Sequence, residues 1–293
     1  VGKKQLFPDI QPRRTLTYRK AELEQSGTKN APLPARSVQL PNLPKGRLRI
    51  ALMPDVQAAP ERPYDHLGWY GQYIAAKQPD VVVCIGDFAD VPSLSTHDEP
   101  GSIHAEGRRY ADDLAAAHQA MEAFMTPIRK ARGYNPTLVL TLGNHEDRID
   151  RAIARDPQRL DGKISMADLR YAQYGWTVIP FLQPVEINGV LFCHYFPAGV
   201  MGRALTTAAG IIRKYHQSAI AGHLQGRDIA YGKRADGTAI TSIISGSFYQ
   251  HDESYLSPLT NAHWRGAWFL HEVQNGQFDE MALSIDFLKR KFG

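Results

Sequence analysis

Residues 81–90 read VVVCIGDFAD: five apolar residues in a row, then Gly86-Asp87 and, three positions on, Asp90. A run this short and this uniformly apolar, rich in β-branched residues, predicts a buried strand rather than a surface helix. The glycine that follows marks a sharp turn, so both carboxylates fall where the chain leaves the sheet. Working outward, Leu48–Met53 (LRIALM) and Thr137–Thr141 (TLVLT) repeat the pattern. Helix is expected over Tyr64–Lys77, along a long amphipathic stretch from about Ala105 to Arg132, and at Arg148–Arg155 and Ser165–Tyr174. This βαβα order predicts a layered α/β domain. The second half is richer in strands: Thr177–Ile179, a hairpin around Asn188-Gly189, Ala219–Ala221 after a helix near Leu205–Tyr215, then Ile240–Ile244 and Gly266–Val273. Asp236-Gly237 and Asn275-Gly276 add hairpin turns.

The 293 residues are 43% apolar and 22% charged, enough to bury a sizeable core and too apolar for a chain disordered throughout. No stretch approaches the length of a membrane helix, and the start, VGKKQLFPDI, has no apolar signal-like segment, so a soluble protein is expected. With only Cys84 and Cys193, no disulfide framework is expected, and a reducing, cytoplasmic setting fits. The net charge of +4 hides an asymmetry. Residues 1–47 hold ten Lys/Arg against three Asp/Glu, and the remainder 24 against 27. We therefore divide the chain into a basic, Pro-rich arm (1–46) and a body (47–293). The arm has two readings, a tail that wraps the body or hangs free, and a segment that binds a polyanion such as DNA or RNA.

Side chains able to do chemistry gather where the strands end. MPDVQ carries Asp55 and Gln57; IGDFAD carries Asp87 and Asp90; LGNHEDR carries Asn144, His145, Glu146 and Arg148; FCHYF carries His194; AGHLQ carries His223 and Gln225. Each alone is a common turn. Five in succession, each behind an apolar run, place oxygen and nitrogen donors at the carboxyl ends of strands, where they converge on one crevice.

With these residues the chain resembles the calcineurin-like metallophosphoesterase superfamily, whose pattern is D-x-H, G-D-x-x-D, G-N-H-E/D, a later His and G-H-x-H. GDFAD and GNHE match fully, and the resemblance spans about residues 47–285. It implies a two-sheet β-sandwich flanked by helices and two divalent metals bridged by Asp87. Asn144, His194 and His223 would complete one site, and Asp55 would belong to the other. His145 would act as general acid, oriented by Asp90, and Asn144 and Arg148 are candidate substrate contacts. Two positions depart from the pattern: Gln57 stands where D-x-H has His, and Gln225 where G-H-x-H has its second His. Both histidines belong to the same metal site, so that site would be weaker and would favour Mn²⁺, with Mg²⁺, Fe²⁺ or Zn²⁺ as alternatives. The wording GNHEDR and the basic lead are similar to phosphoesterases of phage genomes, which implies a bacterial or phage-infected cytoplasm. The implied activity is phosphoester hydrolysis, by a phosphodiesterase or nuclease acting on nucleic acid or nucleotides or, alternatively, by a phosphomonoesterase; a catalytically weak metal-binding scaffold is a third reading, of a different class.

Three further expectations concern the surroundings. Cys84 and Cys193 should be small buried hydrophobes beneath the metal loops. The polar segment from Val91 to Gly107 is a long loop of the kind that closes a site, and His97 or His251 could replace a missing imidazole. Trp264, Trp268, Phe248, Tyr249 and Tyr255 either line a crevice or cap the second sheet, the core role being the default.

Overall fold

In the central strands the apolar side chains divide by parity, and that division builds the layers. Leu48, Ile50 and Leu52 join Val81, Val83 and Val139 in one core cluster, while the alternating Ala51, Met53, Val82, Cys84, Leu138 and Leu140 join another. A strand with both faces buried needs partners on both sides. These are a second sheet on one face and helices on the other.

The computed structural model describes residue 40 and residues 43–96, 106–199, 201–253 and 257–293. The chain divides into two units, Val1–Arg36 and Ser37–Gly293, and the first lies outside the described residues. So does most of the 1–46 arm; of its described residues, Leu40 and Leu43 pack against the core.

One sheet has six strands: β1 (Leu48–Met53), β2 (Val81–Cys84), β3 (Thr137–Thr141), β4 (Thr177–Ile179), β10 (Gly266–Gln274) and β11 (Gln277–Ser284). Its order is β11-β10-β1-β2-β3-β4, parallel from β1 to β4 and antiparallel at the β10 and β11 edge. The other has five: β5 (Val185–Ile187), β6 (Val190–Cys193), β7 (Ala219–Ala221), β8 (Arg227–Lys233) and β9 (Ala239–Ser245), in the order β5-β6-β7-β9-β8. Val185, Ile187, Val190, Phe192, Ile220 and Ile243 face the first sheet across the inter-sheet core, which also holds Trp268. On the outer face of the first sheet lie α1 (Asp65–Lys77), α2 (Tyr110–Lys130) and α5 (Ile285–Phe292). On that of the second, Leu191, Cys193, Ala219, Ala221 and Ile244 pack with Ala208 and Ile211 of α4 (Ala208–Tyr215). α3 (Arg148–Arg155) follows β3. The expected two-sheet sandwich flanked by helices is the observed architecture.

Two local expectations change and one holds. Ser165–Tyr174 is not one helix but two 3₁₀ turns, Met166–Leu169 and Tyr171–Tyr174, because Arg170 between them adopts φ +58°. α4 starts only at Ala208, where the Thr207 hydroxyl accepts from the Gly210 N–H and so caps it. Both cysteines are buried and unpaired, and burial pushes the Cys193 thiol up to about 12.

A buried histidine makes the fold acid-sensitive. His66 of α1 donates from Nε2 to the Phe248 carbonyl at 2.9 Å, and its Nδ1 lies 3.0 Å from the Gln250 side-chain amide. Burial lowers its pKa from 6.5 to about 4. The unfolded chain therefore takes up this proton first as pH falls, and stability is lost between about pH 6.5 and pH 4. Chemical denaturation at pH 7 and pH 4.5 should show the wild type losing roughly 2–3 kcal/mol more than His66→Gln. Equal losses would assign the acid sensitivity to other groups.

Candidate active site

All five motifs meet at one end of the sandwich. Asp55 and Gln57 follow β1, Asp87 and Asp90 follow β2, and Asn144 and His145 follow β3. His194 follows β6, and His223 and Gln225 follow β7. The loops are stitched to one another by the backbone: the Asp87 carbonyl accepts from the N–H groups of Val56 (3.0 Å) and Gln57 (2.8 Å), and the His194 carbonyl accepts from Gly222 (2.8 Å). Gln57, Asp87 and His223 all sit at positive φ, +50°, +50° and +68°, a strained conformation that clusters at functional sites. The motif glycines leave room for the ligands. A side chain on Gly143 would overlap the Asp87 carboxylate, and one on Gly222 would come within 2.5 Å of Asp55 Oδ1.

Donor atoms of Asp87, His194 and His223 lie within 4.8 Å of one another. His194 Nε2 and His223 Nδ1 approach Asn144 Oδ1 at 2.9 and 2.8 Å, and His194 Nε2 lies 3.3 Å from Asp87 Oδ2. The Nδ1–H of His194 donates to the Ile85 carbonyl at 2.9 Å. That bond selects the tautomer whose Nε2 lone pair faces the cluster, the arrangement of a metal-ligating imidazole. Asp55 is fully buried; its Oδ1 accepts from the His223 N–H, while its Oδ2 has no hydrogen-bond partner. Burial, reinforced by Asp87, pushes the Asp55 pKa up to about 7 against the pull of His194. Two buried carboxylates with an orphaned oxygen call for a cation. The donor set, carboxylates, an amide oxygen and two imidazoles, fits a borderline-to-hard divalent metal.

Beside this cluster stands a second constellation. Asp90 Oδ1 lies 2.5 Å from His145 Nδ1 and 2.8 Å from Arg148, whose guanidinium also donates to the Asp90 carbonyl; Asp90 Oδ2 pairs with Arg62 at 2.7 Å. Burial would raise the Asp90 pKa, but His145, Arg62 and Arg148 outweigh it and hold the carboxyl well below its usual range. Burial would likewise lower His145; Asp87 and Asp90 prevail and raise its pKa above the usual imidazole value, which favours the protonated ring. His145 Nε2 sits 3.6 Å from Asp87 Oδ2. His145, Asp87, Asn144, His223, Gln57 and Gln225 all border one open cleft of about 630 Å³.

Some residues have roles that the motifs alone did not announce. The fully buried Glu146 carboxylate accepts from the N–H groups of Asp87, Phe88, Ala89 and Gly143 and from the Tyr171 hydroxyl. It pins the Asp87 loop to the Asn144 loop. Arg62 ties Asp90 to the Gln57 carbonyl (2.8 Å), from a loop whose sequence carries no motif. Arg148 is engaged with Asp90 while bordering the cleft. His251 pairs with Glu253 (3.0 Å) and stacks on Tyr249, and His97, Tyr255 and residues 97–105 of the long loop lie outside the described residues. Phe248, Tyr249 and Trp268 are buried in the core, and Trp264 packs on the inter-sheet cluster under Arg227.

Fold and site together define a two-sheet α/β sandwich with a donor cluster able to hold a metal and a His-Asp pair at its strand ends. No family model and no curated protein matches the chain. Among solved structures, the chain is similar to a dimetal phosphatase from Danio rerio (11% identity, TM-score 0.41, covering 82% of this chain and 97% of that one). It is also similar to Yfce, a phosphoesterase from E. coli (11% identity, TM-score 0.35, 80% and 100%), and to a predicted phosphoesterase from Streptococcus pneumoniae (12% identity, TM-score 0.31, 82% and 99%). At such distances the chemistry is read from this chain's own residues. Among the described residues, no helix is long and apolar enough to cross a membrane.

Proposed function

We propose that the protein is a metal-dependent phosphoester hydrolase acting on phosphodiesters of nucleic acid or nucleotides. The observation that carries this reading is one donor cluster, Asp87, Asn144, His194 and His223, of which all but the buried His194 border the same cleft as the buttressed His145-Asp90 pair. Asp87, Asn144, His194 and His223 would hold one divalent ion, and Asp55, Asp87, Gln57 and Gln225 a second, weaker one, with Mn²⁺ the favoured metal. When bound, the ions supply positive charge for the phosphoryl oxygens and lower the pKa of water.

The remaining work falls to side chains. Asp90 accepts from Nδ1 of His145 and so orients the ring, and His145 gives the Nε2 proton to the departing alkoxide. Arg62 and Arg148 keep Asp90 anionic, so the proton stays on the imidazole. Arg62, Arg108, Arg148 and Arg151 border the cleft, a basic rim that suits a substrate with phosphates beyond the one cleaved. The same His145-Asp90 arrangement disfavours a scaffold without catalysis, which has no use for a general acid.

With Mn²⁺ present, kcat/KM should be at least about 10-fold higher for an oligonucleotide or an aryl phosphodiester than for the aryl phosphomonoester. Oligonucleotide binding should weaken as salt rises, and less steeply after deletion of residues 1–46. A preference for the monoester would make the protein a phosphomonoesterase instead.

A further inference from the structure

After β9 the chain turns back over the end of β1. Ser247 forms a parallel bridge with Asp55, and the Phe248 N–H donates to the Asp55 carbonyl at 2.7 Å. The loop is thus fixed to the strand end that presents Asp55 and Gln57. Glu253, further along it, is held twice by Asn261: its N–H donates to Asn261 Oδ1 at 2.9 Å, and Asn261 Nδ2 donates to its carbonyl at 3.0 Å. Its Oε1 lies 3.0 Å from His251 Nε2, and that ring is itself fixed by stacking on Tyr249, with centroids 4.3 Å apart. Glu253 is only 7% exposed, yet it borders the cleft together with Gln57, Asp87, His223 and Gln225.

A nearly buried carboxylate needs compensation, and His251 meets only its Oε1. Arg265, on the same loop system, is spent on Asp252 and on the carbonyls of Gln250 and Asn261. Arg62 and Arg148, across the cleft, are paired with Asp90. The second metal position, meanwhile, has the orphaned Asp55 Oδ2 and the shared Asp87 but two glutamine amides, weaker donors than imidazoles, so its donor set is short of a strong ligand. We propose that Glu253 supplies a further carboxylate oxygen, directly or through a water, to the metal position of Asp55, Gln57 and Gln225. That position becomes an all-oxygen site for a hard divalent cation, Mn²⁺ or Mg²⁺, and discriminates against Zn²⁺, which prefers nitrogen and sulfur. The inference rests on the metal-dependent reading above and adds a ligand that no motif carries.

Its test is calorimetric titration of the metal-free full-length chain with Mn²⁺. The wild type should bind two ions with unequal affinity. Glu253→Gln should weaken the second by about 10-fold or more and leave the tighter event unchanged, which also reports that the variant is folded. Glu253→Asp, which keeps the carboxylate, should recover part of the loss. Two events in Glu253→Gln with wild-type affinities would overturn the proposal and leave the hydrolase reading standing, as would loss of both events together in both variants. A wild type that binds no divalent metal would instead bring down the reading beneath it.

Discussion

Replacing His145 by Ala should lower turnover by roughly 10²- to 10⁴-fold on substrates whose leaving alkoxide needs a proton, and by far less on a nitrophenolate, which departs without one. His145 Nδ1 is taken up by Asp90 at 2.5 Å, so the proton available to the cleft is the one on Nε2. Asp87 and Asp90 hold the ring's pKa above its usual value, which favours the acid form. The acid form is the active one; activity on a poor leaving group should therefore fall as pH rises through that raised pKa, and His145→Ala should flatten this alkaline limb. Metal binding should be nearly unaffected. Asp90→Asn should act in the same direction more mildly. An equal loss on both kinds of leaving group would move His145 from acid catalysis to structure or metal binding.

The second large effect is on stability. Glu146 receives five hydrogen bonds, four of them from backbone N–H groups of the Asp87 and Gly143 turns. Glu146→Gln keeps the shape and replaces one acceptor oxygen by an NH₂ group, which must face at least two donors that it cannot satisfy. Each buried donor left unpaired costs about 1–3 kcal/mol, so a loss of roughly 3–5 kcal/mol is expected. In a domain of this size that corresponds to a melting temperature lower by about 10 °C. Measuring the metal-free protein separates this loss from any loss of bound ion. Tyr171→Phe, which removes one donor rather than opposing two, should cost about 1 kcal/mol. A Glu146→Gln variant within 1 kcal/mol of the wild type would mean that the Asp87 loop is held by something else.

What the sequence made legible follows physical lines. β1, β2 and β3 are buried on both faces, so their apolar runs are continuous and stand out, and their ends delivered Asp55, Asp87 and Asn144. β8 (RDIAYGK) and β11 (QFDEMALS) were implied only by the hairpin turns Asp236-Gly237 and Asn275-Gly276, without an extent of their own, because they are edge strands, half exposed and mixed in composition, and their pairing with β9 and β10 makes them strands. α5 is a short amphipathic segment that gains its place by burying Ile285 and Leu288. The site divides in the same way. Residues inside motifs were found by spacing, whereas Arg62 reaches the cleft from a loop that carries no motif, and in the second loop the sequence pointed to His251 while the residue that borders the cleft is Glu253. Glu146 lay in a motif, but its role as the staple between two loops depends on which N–H groups folding brings to it.

The most direct measurement compares metal-stripped wild type with Asp87→Asn in hydrolysis of an aryl phosphodiester before and after addition of Mn²⁺. Asp87 is the one residue shared by both proposed metal positions, and its carboxylate also accepts from the His145 N–H at 2.9 Å. The stripped wild type should be inactive and should recover on adding Mn²⁺, while Asp87→Asn should remain at least about 10³-fold below it at any metal concentration. Full activity in the stripped protein, or wild-type activity in Asp87→Asn, would contradict the account.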